Sequence, residues 1–287
     1  GGVVVFAPVI LLFIDRITSI EMDPEIVLAG VHLVFNLATS LLFIVFINPF
    51  TRFVDMVLGE GKGEFERVGL PSFNADAEFE EIRAEINENL GTLLEFLQEN
   101  YNLVTLSIET NYRGIYETSA KRIEYVEFLK NEYMGYFSKV IGITTCEDES
   151  KVMLSLITRF DYLFQIHDSI DDLFATKRVM NANFIELKSD ILLLIRELAG
   201  QTLALFDEIH KSISGVSETN ISATARDLQR LLDRVNRDML RLLAEPGRRD
   251  AGSLTNIVTY SIRLKDKLVN FAHIEAAHTS SSAASKT

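Results

Sequence analysis

Residues Phe164 to Leu173 read FQIHDSIDDL, which sets His167 and Asp171 one helical turn apart with Asp168 and Asp172 beside them. An imidazole and a carboxylate at i and i+4 lie on one helix face and can share a divalent cation. His167 also continues an apolar stripe through Leu156, Phe160, Leu163, Ile170 and Phe174. On that reading it is a hydrogen-bonded core or interface histidine, and the aspartates are a solvated helix edge. A comparable segment, Ile262 to Phe271, places Asp266 four residues after an apolar position, as Asp168 follows Phe164. The metal-ligand candidates are thus His167, Asp168, Asp171 and Asp266, and no metal site is assigned outright.

A second polar set lies in an apolar context. Residues 26–47 read IVLAGVHLVFNLATSLLFIVFI, with no Asp, Glu, Lys or Arg. A helix of that length reaches roughly 33 Å, enough to cross a hydrocarbon core. His32, Asn36 and Ser40 fall at i, i+4 and i+8 on one side of it. Polar groups are costly against lipid, so this stripe should face protein or a water-filled cavity. It either lines or supports a transport pathway, or supplies interhelical hydrogen bonds.

Other chemistries find no residues to carry them. There is no Gly-rich phosphate loop, no His-Glu-x-x-His and no Gly-x-Ser-x-Gly, so no enzyme is expected. The one cysteine, Cys146, excludes an internal disulfide, and the acids Glu147 to Glu149 disfavour a reactive thiolate. A net charge of −13 without any basic run argues against nucleic acid as a partner.

The elements that position these residues divide into two unlike parts. Up to residue 50 the charged side chains are Asp15, Arg16, Glu21, Asp23 and Glu25; beyond it the density is that of an ordinary soluble domain. The run Val3–Ile14 is too short to cross a membrane and reads as the tail of a helix that begins upstream. Arg52, Lys62 and Arg67 outnumber Arg16 across the second segment, which places the C-terminal part in the cytoplasm. Residues 51–73, with four glycines and Pro71 among residues 59–73, read as a linker.

From Asn74 or Asp76 onward the apolar period is helical. It predicts six helices, ending near Ser107, Ile141, Met180, Ile213, Ala244 and Ala277 and starting near 74–76, 114, 149, 184, 222 and 252. The fold expected is all-α: terminal transmembrane helices, then a six-helix bundle in two groups of three, with residues 279–287 as a disordered tail.

The segment Ala29-Gly-Val-His32-Leu-Val-Phe35-Asn36-Leu37, together with the Asn48-Pro49-Phe50 exit, resembles the late membrane helices of the sodium/phosphate cotransporter family, bacterial type II-like. The six-helix region resembles the PhoU-like domain that many bacterial members carry behind their membrane domain. The resemblance implies residues 1–50 as the C-terminal part of a transporter domain, 51–73 as linker and 74–278 as a PhoU-like bundle. It implies a sodium-dependent phosphate symporter of the inner membrane, multi-pass. Sodium would be its co-transported ion and phosphate its substrate, both bound in an upstream domain, since the family's Gln-Ser-Ser motifs do not occur here. The bundle would then regulate, pair with a second copy, or receive a partner. PhoU proteins place an acid four before the Asp. Here Phe164 and Ile262 stand at those positions, which removes oxygen ligands that a metal cluster needs. Two other readings stay open: a membrane-tethered helical signalling or scaffold protein without transport, and a metal-binding PhoU-type phosphate regulator.

Overall fold

The computed structural model describes residues 30, 32, 33, 36, 37 and 40, and residues 65–284 apart from 66, 75, 76, 145, 215, 217, 218 and 244–249. All regular structure among the described residues is helical. The chain divides into two compact units, Gly1–Phe65 and Glu66–Thr287. In the first, Gly30, His32, Leu33, Asn36, Leu37 and Ser40 are helical, and all but Gly30 are exposed. Among the described residues no helix is long and apolar enough to cross a membrane. Most of residues 26–47, where the sequence places a crossing, lie outside the described residues, as do the run 3–14 and nearly all of 51–64.

The second unit contains α1 (Phe79–Thr110), α2 (Arg113–Ile143), α3 (Glu147–Ala182), α4 (Ser189–Ile213), α5 (Ile221–Leu243) and α6 (Ala251–Ala284). Each has the apolar repeat that makes a helix bury one face. Ile86, Leu90, Leu93, Leu94 and Leu97 of α1 are wholly buried, and Leu228, Leu232 and Val235 do the same for α5. Tyr133 and Phe137 of α2 meet Phe160 and Phe164 of α3, the Tyr133 and Phe160 rings lying 4.6 Å apart. Such ring pairs add about 1 kcal/mol to what their area burial contributes.

The helices associate as two triads. α1, α2 and α3 touch one another, as do α4, α5 and α6; α1 against α4 and α3 against α6 join the two groups. The α3–α6 pair, which crosses between triads, is the most extensive helix contact in the unit.

Helix ends follow local chemistry. α3 opens with Glu147, Asp148 and Glu149 at the positive end of its dipole, and α4 closes with His210 and Lys211 at its negative end. Asn111, at φ 55°, turns the chain between α1 and α2, a left-handed conformation that asparagine tolerates. α1 starts at Phe79, later than the Asn74 or Asp76 read from the sequence. The reason is tertiary. The end of the expected linker packs along α2: Val68 and Pro71 are buried, the Tyr125 hydroxyl donates to the Val68 carbonyl at 2.9 Å, and Tyr133 donates to that of Gly69 at 3.0 Å. Phe73 closes edge-on against Tyr136. α6 runs seven residues beyond the expected Ala277, through a stretch with neither Gly nor Pro to stop it.

Candidate functional site

The polar cluster around His167 is assembled from two helices. α3 carries His167 and Asp168, while α2 brings Glu127 and Lys130, one turn apart, to face them. The imidazole is fully buried, and its Nε2 lies 3.2 Å from Glu127 Oε1. Lys130 donates to Asp168 Oδ1, also at 3.2 Å. Both carboxylates are half-exposed, so the cluster opens to solvent on its acidic side. Burial lowers the His167 pKa below its usual value against the opposing pull of Glu127, Asp168 and Asp171, which leaves a neutral ring near pH 7. A neutral ring donates from Nε2 to Glu127 and leaves Nδ1 as a bare acceptor, and Nδ1 indeed has no hydrogen-bond partner. An unmatched lone pair is the cheaper of the two buried defects, because no N–H donor is stranded.

Among the metal-ligand candidates, the structure brings His167 and Asp168 together and adds Glu127: one ligand atom from each lies within 4.8 Å of the others. Asp171 and Asp266 are not part of this group. Asp171 faces Arg178 at 3.5 Å, and Asp266 lies 2.6 Å from Lys265. Asp172, also on the sequence's acidic edge, pairs with Arg263 of α6. The donor set does not fit a cluster of hard cations. Such ions need six or more oxygens, whereas two carboxylates converge here and one already holds the Lys130 ammonium. Phe164 fills its position with a ring packed on Tyr133 and Phe160, so an acid there would have no water or counter-charge.

Charged residues that sequence reasoning passed over form the most deeply buried polar contacts. Arg159 of α3 makes a two-pronged ion pair with Glu275 of α6, Nε to Oε1 at 2.5 Å and Nη2 to Oε2 at 2.6 Å. Its Nη1 donates to Asn87 Oδ1 of α1 at 2.6 Å. Arg122 of α2 donates to Asn100 and Glu99 of α1 and lies over the Phe96 ring at 3.8 Å. Lys177, near the end of α3, is 2 % exposed. The signal for Arg159 and Lys177 was present in the sequence: both occupy the apolar stripe of α3, where a charge must find a partner.

Two hollows accompany these clusters. A cavity of about 540 Å³ between α1 and α4 is lined by the acids Glu95, Glu99 and Asp207 and by Lys211, with His210 at its wall. Gln98 spans it to Asp207 at 2.5 Å. A second, of about 230 Å³, lies between the start of α2 and the end of α3 and contains Lys177.

His32, Asn36 and Ser40 share the exposed side of their helical segment with Leu33 and Leu37. At about 100° per residue the two leucines lie along one flank of the polar stripe. Comparison of this chain with family models, with curated proteins and with solved structures gave no match.

Proposed function

We propose that the chain is the C-terminal part of a sodium-dependent phosphate symporter, in which residues 74–278 are a cytoplasmic regulatory module and the apolar segment at 26–47 belongs to the transport domain. What carries this reading is the order of parts: a His32-x-x-Phe35-Asn36 membrane-type segment followed by six helices arranged as two triads. The module's polar residues support a regulatory rather than a catalytic role. The buried charges are spent on joining helices, as Arg159 and Glu275 do, or held neutral, as His167 is. A bundle tied together in this way moves as a body and can bias what it is attached to.

The test is phosphate uptake by the longer protein reconstituted in proteoliposomes. Uptake should require an inward sodium gradient, and deleting residues 74–278 should change its rate or its KM for phosphate without abolishing it. Absence of sodium-driven uptake by the longer protein sinks the transport assignment and favours a tethered scaffold. Unchanged kinetics after deletion sinks the regulatory one.

A further inference from the structure

Two helices of the second unit carry stripes of a single charge on their solvent sides. On α5, Arg226, Arg230, Arg234, Arg237 and Arg241 are all exposed and fall within an arc of about 80°. The buried Leu228, Leu232 and Val235 occupy the far side of that helix. On α1, Glu81, Glu85, Glu88, Glu95 and Glu99 are likewise all exposed and fall within an arc of similar width, opposite the buried Ile86, Leu90 and Leu97. Little of this charge is answered within the unit. Among the described residues Arg226 and Arg237 form no ion pair, and neither do Glu81, Glu85, Glu88 and Glu95. Arg230, Arg234 and Arg241 hold Asp227, Glu197 and Asp238 at the surface, where such pairs contribute little, and Glu99 holds Arg122. Asp233, at the edge of the arginine arc, accepts from Gln229 at 2.8 Å.

Both stripes lie on one face. α4 touches α1 and α5, which do not touch each other. Its consecutive residues Arg196 and Glu197 reach opposite ways, to Glu109 of α1 at 2.8 Å and to Arg234 of α5 at 3.2 Å. The three helices thus form a layer, with α4 antiparallel between two parallel neighbours. On α1 the residues turned to α4 are Gln98 and Glu109, about 90° round from the glutamate arc, so that arc points out of the layer. Arg234 reaches Glu197 on the exposed side of α4, which turns the arginine arc the same way.

An occupant of this face must answer both signs. Nucleic acid or an anionic bilayer drawn to the arginines meets the glutamates beside them, and a cationic partner meets the reverse. A second copy of the chain supplies both stripes, and the spacing fits it. The contacts Gln98–Asp207, Glu109–Arg196 and Arg234–Glu197 put Arg226 about level with Glu99. A two-fold axis through the outer side of α4 then lays α5 of one copy antiparallel on α1 of the other. With Arg226 over Glu99, Arg230 falls on Glu95 and Arg237 on Glu88, because both series step by four and then seven residues. Near the axis α4 presents Gly200 and Ala204, small residues that let the copies approach. The face is about 25 Å long and three helices wide, roughly 1,500 Å² over both copies, which is the size of a stable interface.

We propose that this protein forms a two-fold dimer through the α1–α4–α5 face, with the arginine stripe of each copy on the glutamate stripe of the other. The proposal concerns the helical unit and is independent of the transport reading.

Light scattering of the full chain in a neutral detergent, across protein concentration, tests it. Wild type should be a dimer that weakens at least tenfold between about 50 mM and about 500 mM salt. Arg230→Glu with Arg237→Glu sets acid against acid, and Glu88→Arg with Glu95→Arg sets base against base. Each of these variants should dissociate at least tenfold more readily than wild type. Mixed in equal amounts, they should pair with each other and regain an affinity within severalfold of wild type, which also shows that both are folded. In a Cys146→Ser background, Glu88→Cys with Arg237→Cys should give a disulfide-linked dimer on oxidation, and neither cysteine alone should. Within one copy those positions lie on helices that do not touch, at levels about 35 Å apart, beyond the reach of a disulfide. A wild-type monomer at about 100 µM overturns the proposal and leaves the arginines to an anionic partner of another kind. Dimerisation undiminished by either reversal, a mixture that stays monomeric, or no cross-link overturns it as well.

Discussion

At the residue scale the decisive feature is a histidine kept neutral by burial. His167 was legible because it sits on the α3 stripe, and the core-histidine alternative rested on that same position. Its partners were not legible, since Glu127 and Lys130 are some forty residues away and meet it only when α2 packs on α3. The lowered pKa has a definite sign. The unfolded chain takes up a proton near pH 6.5, while the folded ring resists it, so the contribution to stability is complete above that pH and declines as pH falls below it. Between pH 7 and 5 wild type should therefore lose more stability than His167→Phe, by up to about 1.4 kcal/mol per pH unit. Urea midpoints measured across that range check it, and parallel curves for the two proteins would remove His167 as a titrating element. The other charged groups around the ring, Glu127, Asp168, Asp171 and Lys130, are present in both proteins.

At the scale of elements, the helices were readable from sequence, and so were most of their ends; the start of α1, the start of α4 and the end of α6 were not. Apolar period fixes a helix's buried face over many turns, so six helices follow from it. A boundary depends on one or two residues and on what the neighbouring chain does. The start of α4 shows this. The sequence places it near Phe184, a residue with ordinary helical tolerance. In the fold Phe184 instead adopts φ 52° just beyond α3, at the position where glycine usually ends a helix, and Ser189 begins α4. A bulky side chain in that conformation costs about 1–2 kcal/mol, partly offset by glycine's greater freedom in the unfolded chain. The Phe184 side chain is 93 % exposed and contributes little packing in return. Phe184→Gly should thus stabilise the protein by roughly 1 kcal/mol, seen as a higher urea midpoint at unchanged slope. A lower midpoint would mean that the phenyl ring contributes more against its neighbours than the backbone loses. The strap at residues 67–73 makes the same point from the other side. Its glycine and proline read as part of a linker, yet Tyr125 and Tyr133 hold its carbonyls on α2, a contact that no local pattern encodes.

For the helical unit as a whole, the question is whether two triads unfold as one. Each triad closes its own set of contacts, an arrangement that would permit two separate transitions. Two observations oppose that. The largest helix contact in the unit, α3 against α6, runs between the triads, and the Arg159–Glu275 pair with Asn87 ties α3, α6 and α1 at a point where both charged side chains are almost fully buried. Removing one member of such a pair strands the other in the core and costs about 3–5 kcal/mol, whereas replacing both by apolar residues of similar volume is often neutral. Arg159→Met and Glu275→Leu should each destabilise by that amount. The double variant should recover most of the loss, a coupling that a double-mutant cycle reads directly. The single variants should also expose the architecture. With that ion pair broken between the triads, the interface that joins them weakens before either triad does, and thermal unfolding should broaden or separate into two steps. In the double variant it should return to one. If the single variants merely lower the midpoint of one sharp transition, the apolar α3–α6 contact alone makes the triads a single cooperative unit, and the ion pair sets which surfaces meet rather than whether they hold.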